Sequence, residues 1–226
     1  FALGVYRISK IGAIIQKLNA IESFSNVQIV CMDKTGTLTQ NKLSVNRITL
    51  AENSNEEEIK KLLGTYALHS SDKNATLRAI DIFDGYSDAK FINEIPFSSE
   101  TKKSFLEVEI KNEKRIFVLG GYDILSVKLD SVNRDFFQKA YTESNLKIYR
   151  NLLFGEIKNI QNLDSVKSDL SSIEITPLSI VSITDQIRTD VMDAINLFLK
   201  NGITFKILSG DAPESVQAVA REIGWD

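Results

Sequence analysis

The strongest constraint on this chain is an apolar run that stops on an acid. Val27-Gln28-Ile29-Val30-Cys31-Met32 has the length and composition of a buried strand, and Asp33 falls where that strand ends. Behind it, Lys34-Thr35-Gly36-Thr37-Leu38-Thr39 carries a turn-forming glycine, one ammonium and the hydroxyls of Thr35, Thr37 and Thr39. In open α/β sheets, ligands gather at the carboxyl ends of strands. A carboxylate placed there can attack a phosphoryl group and become an aspartyl phosphate. The surrounding groups can hydrogen-bond phosphate oxygens and offset their charge.

The two ends of the chain share a pattern that the middle lacks. Ile180 to Thr184 is an apolar run ending at Asp185, and Thr189 can cap a helix carrying Val191, Ala194, Ile195, Phe198 and Leu199, stopped by Gly202. Ile203 to Leu208 is the next strand, followed by Ser209-Gly210-Asp211, and Pro213 opens a helix stopped by Gly224. Strands alternating with helices predict a parallel sheet. Asp33, Asp185 and Asp211 each follow an apolar strand, so they are expected along one edge of it.

In the middle the period drops to two. Leu106, Val108 and Ile110 alternate with Glu107, Glu109 and Lys111, Asn112-Glu113 turns, and Ile116 to Leu119 returns before Gly120-Gly121, which reads as an antiparallel hairpin. Helices are expected over Arg7 to Ser25, where Gly12 is a weak point, and from the cap candidates Asn53-Ser54-Asn55 to His69. Two more are expected over Asn74 to Asp84 and Asn133 to Tyr149, and Gln161 to Ser172 reads as a loop. The chain therefore divides into a split α/β unit, residues 1–47 and 177–226, and an α+β insertion, residues 48–176.

Composition narrows the partners. With 27 basic and 30 acidic residues the net charge is −3, which gives no footprint for nucleic acid. The one cysteine, Cys31, excludes an internal disulfide and is expected as a small buried residue on its strand. His69, the one histidine, has no Cys or His partner in the pattern and is expected to be structural rather than a metal ligand. No apolar run reaches the roughly 18–20 residues that span a bilayer, and with Phe1 rather than Met at its start the chain reads as beginning in mid-protein.

The string Asp33-Lys34-Thr35-Gly36-Thr37-Leu38-Thr39 resembles the phosphorylation-site signature of the P-type cation-transporting ATPases, bacterial type. That resemblance implies a haloacid-dehalogenase-like Rossmannoid parallel-sheet domain, split and C-terminally truncated, with an inserted antiparallel α+β nucleotide-binding domain. It implies Asp33 as the residue that takes the γ-phosphoryl group of ATP, Lys34 steadying the phosphate, and Mg²⁺ held by Asp33 and the Thr35 carbonyl. Ile207-Leu208-Ser209-Gly210-Asp211 resembles the family's Thr-Gly-Asp element, with Ser209 keeping the hydroxyl and Asp211 the acid. Asp185-Gln186-Ile187-Arg188 resembles a segment whose Asp and Arg contact nucleotide.

In the insertion, Pro96-Phe97-Ser98-Ser99-Glu100-Thr101-Lys102 is similar to the family's nucleotide-pocket strand, which implies Phe97 stacking on adenine and Lys102 lining the pocket. Without the family, the same residues read as a β-bulge carrying a core Phe and a surface Lys. Leu119-Gly120-Gly121-Tyr122-Asp123 stands where the family has Lys-Gly-Ala-Pro-Glu. Gly120 and Gly121 are expected to let the nucleotide approach the backbone, while Leu119 removes the usual Lys. The resemblance also implies transmembrane and actuator regions elsewhere in the polypeptide, a transported cation, and a place on the cytoplasmic face of a membrane. Two alternatives remain open: a haloacid-dehalogenase-type phosphatase using Asp33, against which Thr35 stands where a second Asp is usual, and a non-catalytic nucleotide-binding module.

Overall fold

The computed structural model describes residues 2–12, 14–17, 19–52, 54–143, 146–164, 173–209 and 213–225, without the side chains of residues 21, 24, 214, 215, 218 and 222. In chain order the elements are α1 (Ala2–Lys10), α2 (Asn19–Ser25), β1 (Ile29–Asp33), β2 (Thr39–Leu50), α3 (Glu56–His69), α4 (Ala75–Ile80), β3 (Lys90–Ser98), β4 (Lys103–Ile110) and β5 (Glu113–Gly121). There follow α5 (Tyr122–Leu125), α6 (Ser131–Glu143), β6 (Arg150–Ile157), β7 (Ile175–Ile187), α7 (Val191–Lys200), β8 (Thr204–Leu208) and α8 (Pro213–Glu222). No helix among the described residues is long and apolar enough to cross a membrane.

The strands form two sheets. β1 and β8 pair in parallel, with Asp33 opposite Leu208. The other six strands form an antiparallel sheet in the order β2-β7-β6-β5-β4-β3. The parallel pair is the one the alternation at the chain ends required. The strand at Ile180–Thr184, expected to join it, is instead the middle of β7, antiparallel to β2 and β6. An apolar run does not reveal the direction of its neighbours; here β2 leaves the Asp33 loop and pairs with β7 along its length. The residue pairs 47/48 and 176/177 thus fall inside β2 and β7.

The large sheet is buried on both faces, and its side chains alternate between two cores. Leu106 and Val108, Phe117 and Leu119, and Leu152 and Phe154 meet α3 and α4 on one face. Phe105, Ile116 and Val118, and Leu153 meet α5 and α6 on the other. Covered faces explain why Ile116-Phe117-Val118-Leu119 is apolar throughout. They also overturn the expectation that Glu107 alternates out to water: it is 2% exposed and its Oε2 accepts from the Leu163 backbone N–H at 2.9 Å. A bidentate pair, Arg115 Nε and Nη2 to Glu156 at 2.7 and 2.9 Å, closes the far end of the sheet.

Local signals placed several elements. Asn55 caps α3, accepting from Glu58 N–H at 3.1 Å, with Glu56, Glu57 and Glu58 in the first turn. The β4–β5 hairpin turns one residue earlier than expected, at Lys111-Asn112, both with positive φ (52° and 64°), the geometry that matches the twist of the flanking strands. Gly12, at φ +90°, separates α1 from α2 where one helix was expected. The second helix stops at Ile80, short of Asp84, and α6 stops at Glu143, short of Tyr149. Asp190, not Thr189, occupies the N-cap position of α7. Of the expected loop at 161–172, residues 165–172 lie outside the described residues.

Candidate active site

β1 has one covered face. Met32 packs into a small core with Leu38, Val191, Ile195, Phe205 and Ile223. Ile29, Cys31 and Asp33 alternate to the other face, and Ile29 is 51% exposed. Cys31 is therefore exposed, contrary to the buried position expected, because its neighbour β8 is the only strand beside it among the described residues. Asp33 ends β1 as expected, with its carboxylate open to solvent. Ser209 follows Leu208, the register partner of Asp33, so the two residues share the carboxyl edge of the parallel pair. Gly210 and Asp211 lie outside the described residues.

The loop after Asp33 is irregular. Thr35 is extended and Gly36 takes φ +78°, a region a side chain resists, which bends the chain away from the strand end. Thr35 and Thr37 are exposed and Lys34 is half-buried. Thr39 differs from the other hydroxyls: it is 0% exposed. Its Oγ1 donates to Asp185 Oδ2 at 2.6 Å and accepts from Gly36 N–H at 3.1 Å. A hydroxyl has one proton, and the charge-assisted bond to the carboxylate takes it. Thr39 is thus not among the groups that face a phosphate.

Asp185 does not stand on the edge expected for it. It lies in β7, and its other oxygen, Oδ1, accepts from Lys42 N–H at 2.9 Å. Both oxygens therefore hold the loop and the start of β2 against β7. Arg188 N–H, just past β7, adds a bond to Leu38 O at 3.0 Å. The Arg188 side chain is exposed, pairs with Asp190 at 3.2 Å, and lines a shallow surface depression with Gln40 and Thr189.

A second group of predicted residues meets around two adjoining cavities, of about 560 and 220 Å³. Phe97, Lys102 and Gly121 line the larger; Phe97, Leu119 and Gly120 line the smaller. The sequence between Ile95 and Ser98 does carry a break in the β3–β4 register, and Lys102 takes φ +51° in the turn that follows. Gly120 has a structural reason besides the one expected. A Cβ there would lie 2.7 Å from Lys103 Cβ and 3.0 Å from Lys102 O, so the neighbouring strand excludes a side chain whatever binds. At Gly121 a Cβ would lie 2.7 Å from Asp123 Oδ1. Leu119, 4% exposed, forms part of the smaller cavity's wall.

Sequence reasoning missed Arg150, which opens β6 and lines both cavities. Its signal was weak: an Arg before an apolar strand usually marks only the strand's entry. It missed too the tyrosines of the larger cavity, where Tyr122 and Tyr141 stack with centroids 5.0 Å apart. The Tyr122 hydroxyl is buried without a hydrogen-bond partner among the described residues, and burial raises its pKa, with Tyr141 adding to the effect. Near the same wall, burial and then Lys128 lower the pKa of Lys103.

For Mg²⁺ the available donors are of the right kind. The exposed Asp33 carboxylate and the Thr35 carbonyl are hard oxygen ligands, and Mg²⁺ commonly takes few protein oxygens and keeps water in its other positions. No cluster of three or more His, Cys, Asp or Glu residues occurs among the described residues.

Comparison with known proteins bears on the family and the fold. The chain is 31% identical to the probable cation-transporting ATPase exp7 of Streptococcus pneumoniae, over 94% of this chain and 26% of that protein. It is 28% identical to the calcium-transporting ATPase CtpE of Mycolicibacterium smegmatis, over 99% of this chain and 26% of that one. It is 30% identical to plasma membrane ATPase 2 of Schizosaccharomyces pombe, over 99% of this chain and 22% of that protein. The chain spans about a quarter of the length of such relatives. A crystal structure of a zinc-transporting PIB-type ATPase has the same fold, with a TM-score of 0.71 at 21% identity, over 99% of this chain and 32% of that one. The haloacid dehalogenase-like hydrolase family matches residues 27–226, from the start of the strand that carries Asp33 onward. With that match over most of its length, the chain belongs to the haloacid dehalogenase-like hydrolases, as a P-type ATPase-like member.

Proposed function

We propose that this chain is the catalytic region of an ATP-driven cation transporter, and that Asp33 accepts the γ-phosphoryl group of ATP. The observation that carries this reading is the placement of Asp33. It is an exposed carboxylate at the carboxyl end of a parallel strand, with Ser209 on the same edge and a loop behind it clamped at Thr39. An attacking carboxylate needs access and a fixed direction, and this arrangement supplies both.

In the proposed step an Asp33 carboxylate oxygen forms a bond to the γ-phosphorus as the bond to the β,γ-bridging oxygen breaks, and ADP leaves. Lys34 and the hydroxyl of Ser209 stabilise charge on the transferring group, and Asp211 is assigned to the same step by its place in the Ser209-Gly210-Asp211 string. Asp33 and the Thr35 carbonyl would hold Mg²⁺, which when bound offsets the negative charge of the phosphate oxygens. ATP would enter the paired cavities, its base against Phe97 and its phosphates toward Lys102 and the Gly120-Gly121 strand end. Asp185 would serve this step through Thr39, and Arg188, at the exposed end of the same segment, remains available to nucleotide.

The proposed division of labour assigns residues 1–47 and 177–226 to phosphorylation and residues 48–176 to nucleotide binding. Transmembrane and actuator regions of the same polypeptide, a cation as cargo and a place on the cytoplasmic face of a membrane belong to the same proposal. It is supported by the named relatives and by the Asp33 string.

The test is acid-stable labelling from γ-labelled ATP with Mg²⁺, in the chain and in a longer polypeptide extended at both ends. The longer form should label at Asp33 and lose the label to hydroxylamine, and Asp33→Asn should abolish it. The 226-residue chain, tested alongside it, should label less if regions of the longer polypeptide contribute to holding the transferred charge. Nucleotide binding without labelling in the longer form would favour a non-catalytic module. Turnover of simple phosphate esters would favour a phosphatase.

A further inference from the structure

The rim shared by the two cavities is held by a polar knot that no motif announces. The chain enters β6 through a short helical turn, Leu146–Ile148, followed by Tyr149 and then Arg150. Tyr149 lines the larger cavity and Arg150 lines both. Arg150 is exposed and has no ion-pair partner among the described residues. With no carboxylate to hold the guanidinium, its direction is set by the backbone that carries it.

That backbone is tied on both sides of Arg150. The Asn151 side chain turns back on the chain, and its Nδ2 donates to Leu146 O at 2.6 Å and to Tyr149 O at 3.0 Å. Its Oδ1 accepts from the Ser182 hydroxyl at 2.7 Å. Ser182 is fully buried on β7, where it is the register partner of Asn151. These bonds fix which amide atom is which, since an oxygen in the Nδ2 position would face two carbonyl oxygens. Leu146 O accepts from Tyr149 N–H as well, at 3.0 Å, so the turn closes twice on one carbonyl. Asn151 and Ser182 are polar residues in largely apolar strands, and each would be costly there without the other.

Asn151 itself borders the larger cavity, but both of its amide hydrogens are spent on carbonyls. A phosphate needs donors, and Asn151 has none left to offer. Arg150 carries its donors in a planar fork that suits phosphate oxygens. We propose, on the nucleotide reading of the paired cavities, that Asn151 with Ser182 is a positioning pair for nucleotide binding, acting through Arg150. The pair orders the turn before any ligand arrives. Without it the turn would have to be ordered on binding, which opposes association.

The experiment is a double-mutant cycle on ATP binding by the full 226-residue chain, read by NMR titration at a temperature where circular dichroism shows each variant folded. Arg150→Ala should weaken ATP at least tenfold and Asn151→Ala at least fivefold, while the double variant stays within twofold of Arg150→Ala alone. Ser182→Ala, which removes one bond of the three, should weaken ATP at least threefold and add less than twofold in the Arg150→Ala background. If Asn151→Ala does not fold, the Ser182→Ala cycle decides the matter. With no nucleotide present, Asn151→Ala should also raise the fast backbone mobility of Tyr149 and Arg150 in NMR relaxation and leave that of Phe154 unchanged. A merely structural pair would lower the unfolding midpoint and leave the ATP affinity of the folded variants as it was. That result, an Arg150→Ala variant that binds ATP normally, a double variant more than twofold weaker than Arg150→Ala, or unchanged mobility at Tyr149 and Arg150 would each overturn the inference while nucleotide binding stands. Failure of the unaltered chain to bind ATP would overturn the nucleotide reading itself.

Discussion

The two sheets of this protein are built to different standards of self-sufficiency. The six-stranded sheet is packed on both faces, with α3 and α4 against one and α5 and α6 against the other. The β1–β8 pair carries the nucleophile yet has one small core, and Ile29 and Leu208 stand 51% and 58% exposed. Two strands alone are marginal in water. The difference teaches that the nucleotide cavities sit on the rigid part of the molecule. Asp33 sits on the part whose geometry depends on ties to β7.

The sharpest way to break this comparison is to unfold the two regions separately. Trp225, the single tryptophan, meets Phe205 edge-to-face at 5.0 Å and so reports on the small core, while far-UV circular dichroism reports mainly on the large sheet. Phe117→Ala removes a fully buried ring that stacks on Phe154, and should cost about 3–5 kcal/mol in the dichroism transition. Phe205→Ala should cost at the low end of that range and move the Trp225 transition with little change in the other. If both probes move together in both variants, the regions unfold as one unit and the comparison is void.

The tie that holds the loop behind Asp33 to the edge of the large sheet should be worth less than either core. Asp185→Ala leaves the buried Thr39 hydroxyl and the Lys42 N–H without their carboxylate, and should cost about 1–3 kcal/mol in the Trp225 transition. Thr39→Val should cost a similar amount, and the double variant less than the sum, because both remove the same bond. Additive costs would mean that the 2.6 Å contact couples nothing.

The smallest expected effect is one of pH. Partial burial, and after it the Lys73 ammonium, lower the pKa of His69 at the end of α3. Its folded pKa lies below the unfolded one, so its contribution is fully present above the usual 6.5 and is lost as pH falls through the folded value. The urea midpoint of the large-sheet transition should therefore drop slightly between pH 7.5 and about 5.5, where ordinary carboxylates remain ionised. His69→Gln should flatten that slope. An unchanged slope in the variant would place the titrating group elsewhere.

Much of the fold was legible because its causes are local. Asn55 as the cap before three glutamates, a hairpin turn about Asn112 (one residue off in its placement) and Gly36 behind a strand each follow from a few neighbouring residues. The position of Asp33 at a strand end was legible for the same reason. The candidate site was less so. Phe97, Lys102 and Gly120 do gather, but Arg150 and Tyr141, which share their cavities, come from more distant parts of the chain with no motif of their own.

The sequence by itself determined that Asp33 ends a strand, that β1 and β8 belong to one parallel pair, and roughly where most strands and helices lie, since hydrophobic period, caps and turn residues act over a few positions. Tertiary structure alone decided that β7 runs in the antiparallel sheet, that Thr39 is buried on Asp185, that Cys31 is exposed, and that Gly120 answers to β4. Most of those outcomes depend on which surfaces meet across more than a hundred residues, as with the 146 that separate Thr39 from Asp185. A pattern of apolar positions states that a face must be covered, and only the packed chain states what covers it.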